Sequence, residues 1–250
     1  MTAYRLISLY LWIGPHALLG VVLALMLRRR SYREFPIYFS YLLFELIQFC
    51  ILIALGSIDS VSLSTYTQAD FLARVGSMAL RFGVIQELFQ SPLSNSPPLR
   101  RTFARRFSLA SVIVVTLASM FIALLCKNVF NASILAPYVI EQALDTAQCA
   151  LVVAIFVWHH HLGARMSNAV FGIAAGLGLL TALEPALHAV RYLVGTEFKL
   201  PNIVSLSVFH VSVLIWLYFI RAEVRRPLGT VIPATDVRAW TDELGRFSQP

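Results

Sequence analysis

The sequence has 250 residues, of which 58% are hydrophobic and only 13% are charged. This excludes a soluble globular domain, which could not bury so much apolar surface, and predicts an all-α protein that crosses a lipid bilayer several times. The formal charge of +7 does not indicate a nucleic-acid partner, because most basic residues lie in short loops between apolar segments, where they act as membrane orientation signals.

Seven segments are long and apolar enough to span a bilayer, which takes about 20 helical residues each. In chain order they are 4–27, 35–56, 70–90, 108–127, 137–158, 169–193 and 203–221. The third is the weakest candidate because it carries Arg74, Arg81 and Glu87. The sequence therefore predicts a seven-transmembrane-helix bundle over 1–226, followed by a polar cytoplasmic tail over 227–250.

The basic residues between the predicted spans predict the orientation of the bundle. With seven spans, one side receives Arg28, Arg29, Arg30, Arg33, Arg100, Arg101, Arg105, Arg106, Arg165, Arg221, Arg225 and Arg226. The other side receives only Arg5, Lys127 and Lys199. Because cytoplasmic loops are enriched in lysine and arginine, we expect the N-terminus outside and the C-terminus in the cytoplasm. Short connections make consecutive helices antiparallel neighbours.

Polar side chains recur at helical spacing on four of the predicted spans. They are Tyr41, Glu45 and Gln48; Arg74, Ser77 and Arg81; Glu141, Asp145 and Gln148; and Thr181, Glu184, His188 and Arg191. At 1.5 Å per residue, several charged groups and histidines fall about 12 to 18 Å below the outer boundary. We therefore expect one buried polar cluster of Glu45, Arg81, Asp145, Glu184, His188, His210 and His16.

Two interpretations of this cluster remain open. In the first, it only stabilises the bundle, with Arg81 held by two carboxylates and the histidines hydrogen bonded to the backbone. In the second, it lines an externally accessible cavity for a small polar or cationic ligand, or a proton path. Acidic residues outnumber arginines within the cluster, so at least one carboxyl group or histidine is expected to hold or exchange a proton.

The sequence requires no cofactor, although two sites are geometrically allowed. Glu184 and His188 are four residues apart, and His210 or Asp145 could complete a zinc site. The second histidine of an HExxH motif is absent, however. His16 and His210 could ligate a haem. The chain has no GxSxG, P-loop or GxGxxG motif, and it lacks the lysine that retinal would need in the last span.

Gly172 and Gly176 lie one turn apart in the sixth predicted span. Small residues let a second helix approach closely, so this pair predicts a helix-packing face. The face is either a seam inside the bundle or a docking surface for another copy of the chain or another membrane subunit.

Four segments carry a resemblance to known proteins: RRRSYREFPIYFSYLLFELIQ at 28–48, RFGVIQELFQ at 81–90, FGIAAGLGL at 171–179 and VLIWLYFIRAE at 213–223. Together they resemble an uncharacterised family of bacterial seven-helix integral membrane proteins. The resemblance implies the topology and a location in the bacterial cytoplasmic (inner) membrane, but no activity. It also implies recurring acidic residues at the positions of Glu87 and Asp145, whereas Arg74 and Arg81 depart from the family pattern.

The leading hypothesis is a non-enzymatic membrane protein, either a sensor-like module or a subunit of a larger membrane complex. One alternative is a transporter or proton-path protein for a small polar solute, which should show inverted repeats or broken helices. Pro15 and Pro185 are the candidate interruptions. The other alternative is a metal-dependent membrane hydrolase, which should bind zinc.

Overall fold

A computed structural model describes residues 3–58, 60–91, 132–161, 166–194 and 200–222, together with positions 107, 109, 111–113, 116–117 and 120. The side chains of 3–5, 132–141, 158–161, 188–189, 191–194 and 200–202 lie outside that description. So do the predicted tail, 227–250, and most of the fourth predicted span, whose described positions between Phe107 and Met120 are all helical.

The described residues form helices and no strand, which confirms the all-α prediction for these ranges. The helices are α1 (Ala3–Arg29), a short 3-10 helix (Ser31–Arg33), α2 (Pro36–Gly56), α3 (Leu63–Gln90), α4 (Ala132–His161), α5 (Asn168–Val194) and α6 (Leu200–Ala222). They correspond to predicted spans one to three and five to seven.

Four of these helices are long and apolar enough to cross a membrane: Leu6–Arg29 in α1, Pro36–Gly56 in α2, Asn168–Leu187 in α5 and Ile203–Ala222 in α6. Their outward faces expose large apolar side chains, such as Ile7, Leu43 and Tyr218, as expected of a membrane protein. In α4, the apolar stretch Gln142–Val157 is shorter. The charges of α3 make it more polar than these four.

Two helices begin five or more residues before the apolar segments that predicted them. α3 begins at Leu63, seven residues before the predicted start at 70, because the Ser62 hydroxyl accepts a hydrogen bond from the Thr65 amide at 3.1 Å and caps the first turn. α4 begins at Ala132, five residues before the predicted start at 137. Hydropathy detects the apolar part of a helix, whereas a cap determines where the helix begins.

The described helices pack in a closed ring. Each contacts the next in chain order, α6 returns to α1, and α3 also touches α5. The interior of the ring holds Trp216 of α6, which is fully buried between Tyr38 and Tyr41 of α2, at ring-centroid distances of 5.7 and 6.1 Å. Its indole nitrogen donates to the Ile173 carbonyl of α5 at 3.4 Å. One side chain thus joins three helices.

Two charged side chains cap helix ends across the ring. The Glu87 carboxylate of α3 accepts hydrogen bonds from the amides of Ile37 and Tyr38, at 3.0 and 2.9 Å, in the first turn of α2. Arg29 of α1 donates to the carbonyls of Ile220 and Arg221, at 2.6 and 3.3 Å, in the last turn of α6. Each charge has the sign that the helix dipole favours at that end.

The Glu87 cap gives a first prediction. Replacing Glu87 with alanine leaves two amides at the start of α2 without their acceptor, and we expect the free energy of unfolding to fall by about 1 to 2 kcal/mol. The melting temperature of the purified protein should fall by about 2 to 8 °C. Glu34→Ala is the matched control, because Glu34 is an exposed carboxylate just before the same helix. Equal melting of both variants would contradict the cap.

Candidate functional site

A polar cavity of about 260 Å³ lies inside the bundle. Side chains of α2, α3, α4, α5 and α6 surround it: Glu45, Gln48, Arg74, Ser77, Met78, Arg81, Asp145, Glu184, Leu187 and Ser205. Only Met78 and Leu187 among them are apolar. The lining therefore contrasts with the aromatic and aliphatic residues that fill the rest of the core.

Arg81 is the central charge of this cavity. Its Nη1 donates to the Glu184 carboxylate at 2.8 Å and lies 4.0 Å from the Asp145 carboxylate. Charge-assisted contacts of this kind are stronger than neutral hydrogen bonds, above all where water is scarce. Arg81 thus links α3 to α5 and α4.

Glu45 of α2 is buried and accepts hydrogen bonds from two neutral groups. The Ser77 hydroxyl of α3 donates to one carboxylate oxygen, and the Gln48 side-chain amide, three residues along α2, donates to the other. These contacts fix the orientation of the carboxylate between α2 and α3. Each oxygen of the carboxylate accepts one hydrogen bond in this way and can accept another.

The charged side chains around the cavity differ in their exposed fractions, and Arg74, which lies closer to the start of α3 than Arg81 does, has the largest. Arg74, which pairs with Asp70 one turn earlier on α3, is 51% exposed. The exposed fraction is 24% for Glu184, 10% for Arg81 and 1% for Asp145. The cavity is therefore most accessible toward the end of the bundle where α3 begins.

Helical spacing explains why these side chains converge. Arg74, Ser77 and Arg81 follow one another at intervals of three and four, so they lie on one face of α3. Asp145 and Gln148 share a face of α4 for the same reason, and the Gln148 amide donates to the Met78 carbonyl at 2.9 Å. That contact holds α4 in register against α3.

The structure brings together four of the residues predicted to cluster, Glu45, Arg81, Asp145 and Glu184. His16 and His210 do not line the cavity. The His16 ring stacks on Phe49, with 3.6 Å between centroids, and its Nδ1 lies 2.8 Å from the Trp12 carbonyl. Both histidines were assigned to the cluster from depth alone, and depth does not determine the direction in which a helix presents a side chain.

The predicted zinc ligands are only partly visible. The side chain of His188 lies outside the described residues, and so does that of Glu141. His210 is separated from Glu184, since it packs near the Tyr10 ring at 5.5 Å and does not line the cavity. Within the part of the chain that has described side chains, no three histidine, cysteine or acidic residues are arranged to hold a metal ion.

The glycine pair forms a seam inside the bundle. A Cβ atom at Gly172 would overlap the side chain of Phe219, and one at Gly176 would overlap that of Trp216. Both partners belong to α6, so α6 covers this face of α5. Of the two predicted roles, the structure thus supports the internal seam and leaves no docking surface there.

Neither Ser205 of α6 nor the capping role of Glu87 was predicted from the sequence. Ser205 lines the cavity, and a lone serine in an apolar span gives too weak a signal to be noticed. Glu87 does not line the cavity, although the family resemblance implies a recurring acidic residue at its position. Two features of the sequence could have predicted the cap. Glu87 is an acidic residue near the end of one span, and Pro36 marks the start of the helix that follows a basic loop.

Comparisons with known proteins return nothing for this chain: no family model matches it, no curated protein matches its sequence, and no solved structure matches its fold.

Proposed function

We propose that this chain is a non-enzymatic, seven-span protein of the bacterial cytoplasmic membrane, belonging to the family that it resembles, and that it is a sensor-like module. In this proposal its bundle binds a small polar solute. The observation that carries the proposal is the cavity around Arg81, with charged groups from four helices and space beside them.

The empty volume favours a binding site over a purely structural ion-pair network. Protein interiors pack densely and leave few voids larger than one water molecule. A cavity of about 260 Å³ has the liquid volume of roughly eight or nine waters, at about 30 Å³ each. A network that only stabilised the bundle would close around its own charges, as the two helix caps do.

A specific observation favours a sensor-like module over a transporter. Transporter sites are commonly built from helices that break near the middle of the membrane. Pro15 and Pro185, the two candidate interruptions, instead lie inside the continuous helices α1 and α5. The seam at Gly172 and Gly176 is internal, so this face of α5 offers no support for docking to another membrane subunit.

The arrangement of the helix ends supports the proposed topology. The caps formed by Arg29 and Glu87 bring together the end of α1, the start of α2, the end of α3 and the end of α6. The arginine-rich segment 28–33 lies at that end of the bundle, which the positive-inside rule assigns to the cytoplasm. The cavity is more accessible toward the opposite end, which we assign to the outside. α3 spans the membrane in this topology because it lies in the ring between α2 and α4.

Cysteine labelling in intact cells tests the topology and the cavity together, in a chain whose three cysteines are replaced by alanine. An impermeant thiol reagent should modify Ser62→Cys from outside, and it should modify Glu34→Cys only after the cells are permeabilised. A small impermeant cationic methanethiosulfonate should also reach Ser205→Cys inside the cavity. Leu214→Cys is the control, because it lies on the exposed apolar face of the same helix.

Each outcome bears on a separate part of the proposal. Reversed labelling of Ser62→Cys and Glu34→Cys would invert the topology. If Ser62→Cys is labelled while Ser205→Cys and Leu214→Cys both stay unmodified, no aqueous path leads to the cavity and the binding function is wrong.

A further inference from the structure

We infer that the solute bound in this cavity is a small primary ammonium cation that also carries an oxygen acceptor. The inference rests on the proposed binding function and adds the chemical class of the ligand. It follows from the charge balance of the cavity, from polar atoms that lack partners, and from the available volume.

The charges around the cavity do not cancel among the described residues. Three carboxylates, those of Glu45, Asp145 and Glu184, line the cavity beside two guanidinium groups, those of Arg74 and Arg81. Arg74 is paired with Asp70, which does not line the cavity. Arg81 is paired with Glu184 at 2.8 Å and lies 4.0 Å from Asp145. An excess of carboxylates around a partly buried cavity attracts positive charge, so the site favours a bound cation over an anion or a neutral solute.

Glu45 is the carboxylate best placed to recognise an ammonium group. Its hydrogen bonds come from Ser77 and Gln48, which are neutral, and the nearby guanidinium of Arg81 forms its ion pairs with Glu184 and Asp145 instead. Gln48 lines the cavity beside Glu45, and its Oε1 is buried without a hydrogen-bond partner among the described residues. An ammonium group with three N–H donors can satisfy both acceptors at once.

Arg81 supplies the second, independent observation. Arg81 is nine-tenths buried and lines the cavity, and its Nε has no hydrogen-bond partner in the described part of the chain. A buried N–H donor without an acceptor is destabilising. An oxygen on the bound cation would accept this hydrogen bond, so a protonated amino alcohol fits the site better than an alkylammonium ion.

The volume sets the size of the ligand. Pockets for drug-sized ligands range from about 300 to 1,000 Å³, and this cavity, at about 260 Å³, lies just below them. It accommodates a few-carbon amine together with some water. The same ammonium group also occurs in the headgroup of phosphatidylethanolamine, and the experiment must distinguish a free amine from that lipid.

The test uses the full chain in nanodiscs of phosphatidylcholine and phosphatidylglycerol, neither of which has a primary ammonium group. The probes are ethanolammonium, ethylene glycol and glycolate, which are similar in size and differ in charge, at constant ionic strength. Tetramethylammonium supplies a cation without N–H donors. We expect only ethanolammonium to raise the melting temperature, by about 3 to 6 °C at ten times its Kd.

Two variants show where ethanolammonium binds. Glu45→Gln keeps the shape of the side chain and removes the charge, and it should weaken ethanolammonium binding at least about tenfold. Glu34→Gln makes the same chemical change at an exposed residue near the start of α2, and it should leave binding unchanged. Equal weakening by both variants would mean that the ammonium binds elsewhere.

The remaining outcomes separate this inference from the proposed function. Stabilisation by ethylene glycol or tetramethylammonium equal to that by ethanolammonium overturns the ammonium class. Stabilisation only by added phosphatidylethanolamine supports the class and assigns it to a lipid headgroup. If Ser205→Cys is labelled but neither the amine nor the lipid stabilises the protein, the cavity remains and this inference is wrong. If Ser205→Cys is not labelled, the proposed function fails.

Discussion

Replacing Gly176 and Gly172 with leucine is expected to unfold much of the bundle or to prevent its assembly. A side chain at Gly176 would occupy the position of Trp216, which is fully buried and hydrogen bonded to Ile173, so neither partner can move aside without losing core contacts. Overpacking a core costs about 1 to 3 kcal/mol for each added group, and we expect the double variant to lose at least about 3 kcal/mol. The measurement is the melting temperature and the monodispersity of the purified protein.

Gly20 of α1 provides the matched control for this change. It also lies in the interior of a long helix, but a Cβ atom there would meet nothing within 4 Å. Gly20→Leu should therefore be neutral or slightly stabilising, since leucine favours the helix over glycine. If Gly176→Leu melts like Gly20→Leu, then α5 and α6 do not pack closely at Trp216.

Replacing Arg81 with methionine should be the most destabilising single change within the cavity. It removes the guanidinium between the buried Asp145 carboxylate and the partly buried Glu184 carboxylate. Deleting one partner of a buried pair costs about 3 to 5 kcal/mol. Polar interactions measured inside membranes are weaker, so we expect the lower end of that range.

Two further variants show whether the loss of stability in Arg81→Met comes from the buried ion pair or from losing any positive charge. Arg74→Met deletes an arginine from the same face of α3, but Arg74 is 51% exposed and its pair with Asp70 should contribute less than about 1 kcal/mol. Adding Glu184→Gln to Arg81→Met should restore part of the lost stability, because it removes a carboxylate that lost its partner. Equal losses in the Arg74→Met and Arg81→Met variants would show that Arg81 reaches water.

The apolar helices and their order could be predicted from the sequence because burial in lipid leaves a continuous hydrophobic signal. Helical periodicity likewise predicted that Glu45, Arg81, Asp145 and Glu184 meet, since spacing determines both depth and face. His16 and His210 were assigned by depth alone and do not line the cavity, because depth does not determine the direction in which a helix presents a side chain. His16 stacks on Phe49 instead.

The partners of the small residues could not be predicted either. Gly172 and Gly176 indicate that something packs closely, but the sequence leaves open whether α6 or another chain does so. That choice depends on which helix closes the ring. The start of α3 was likewise missed because Ser62 determines it, and a single capping hydroxyl has no effect on hydropathy.

The contact between Arg29 and the end of α6 has a consequence for biosynthesis. The Ile220 carbonyl lies 191 residues further along the chain than Arg29. At a synthesis rate of about 5 to 20 residues per second, α1 is complete for roughly 10 to 40 seconds before its partner exists. During that interval the surface of α1 that faces α6 is covered by lipid or by the insertion machinery. A nascent chain that stalls before α6 therefore presents an incomplete bundle to membrane proteases, and closure of the ring marks the point at which the protein becomes resistant to them.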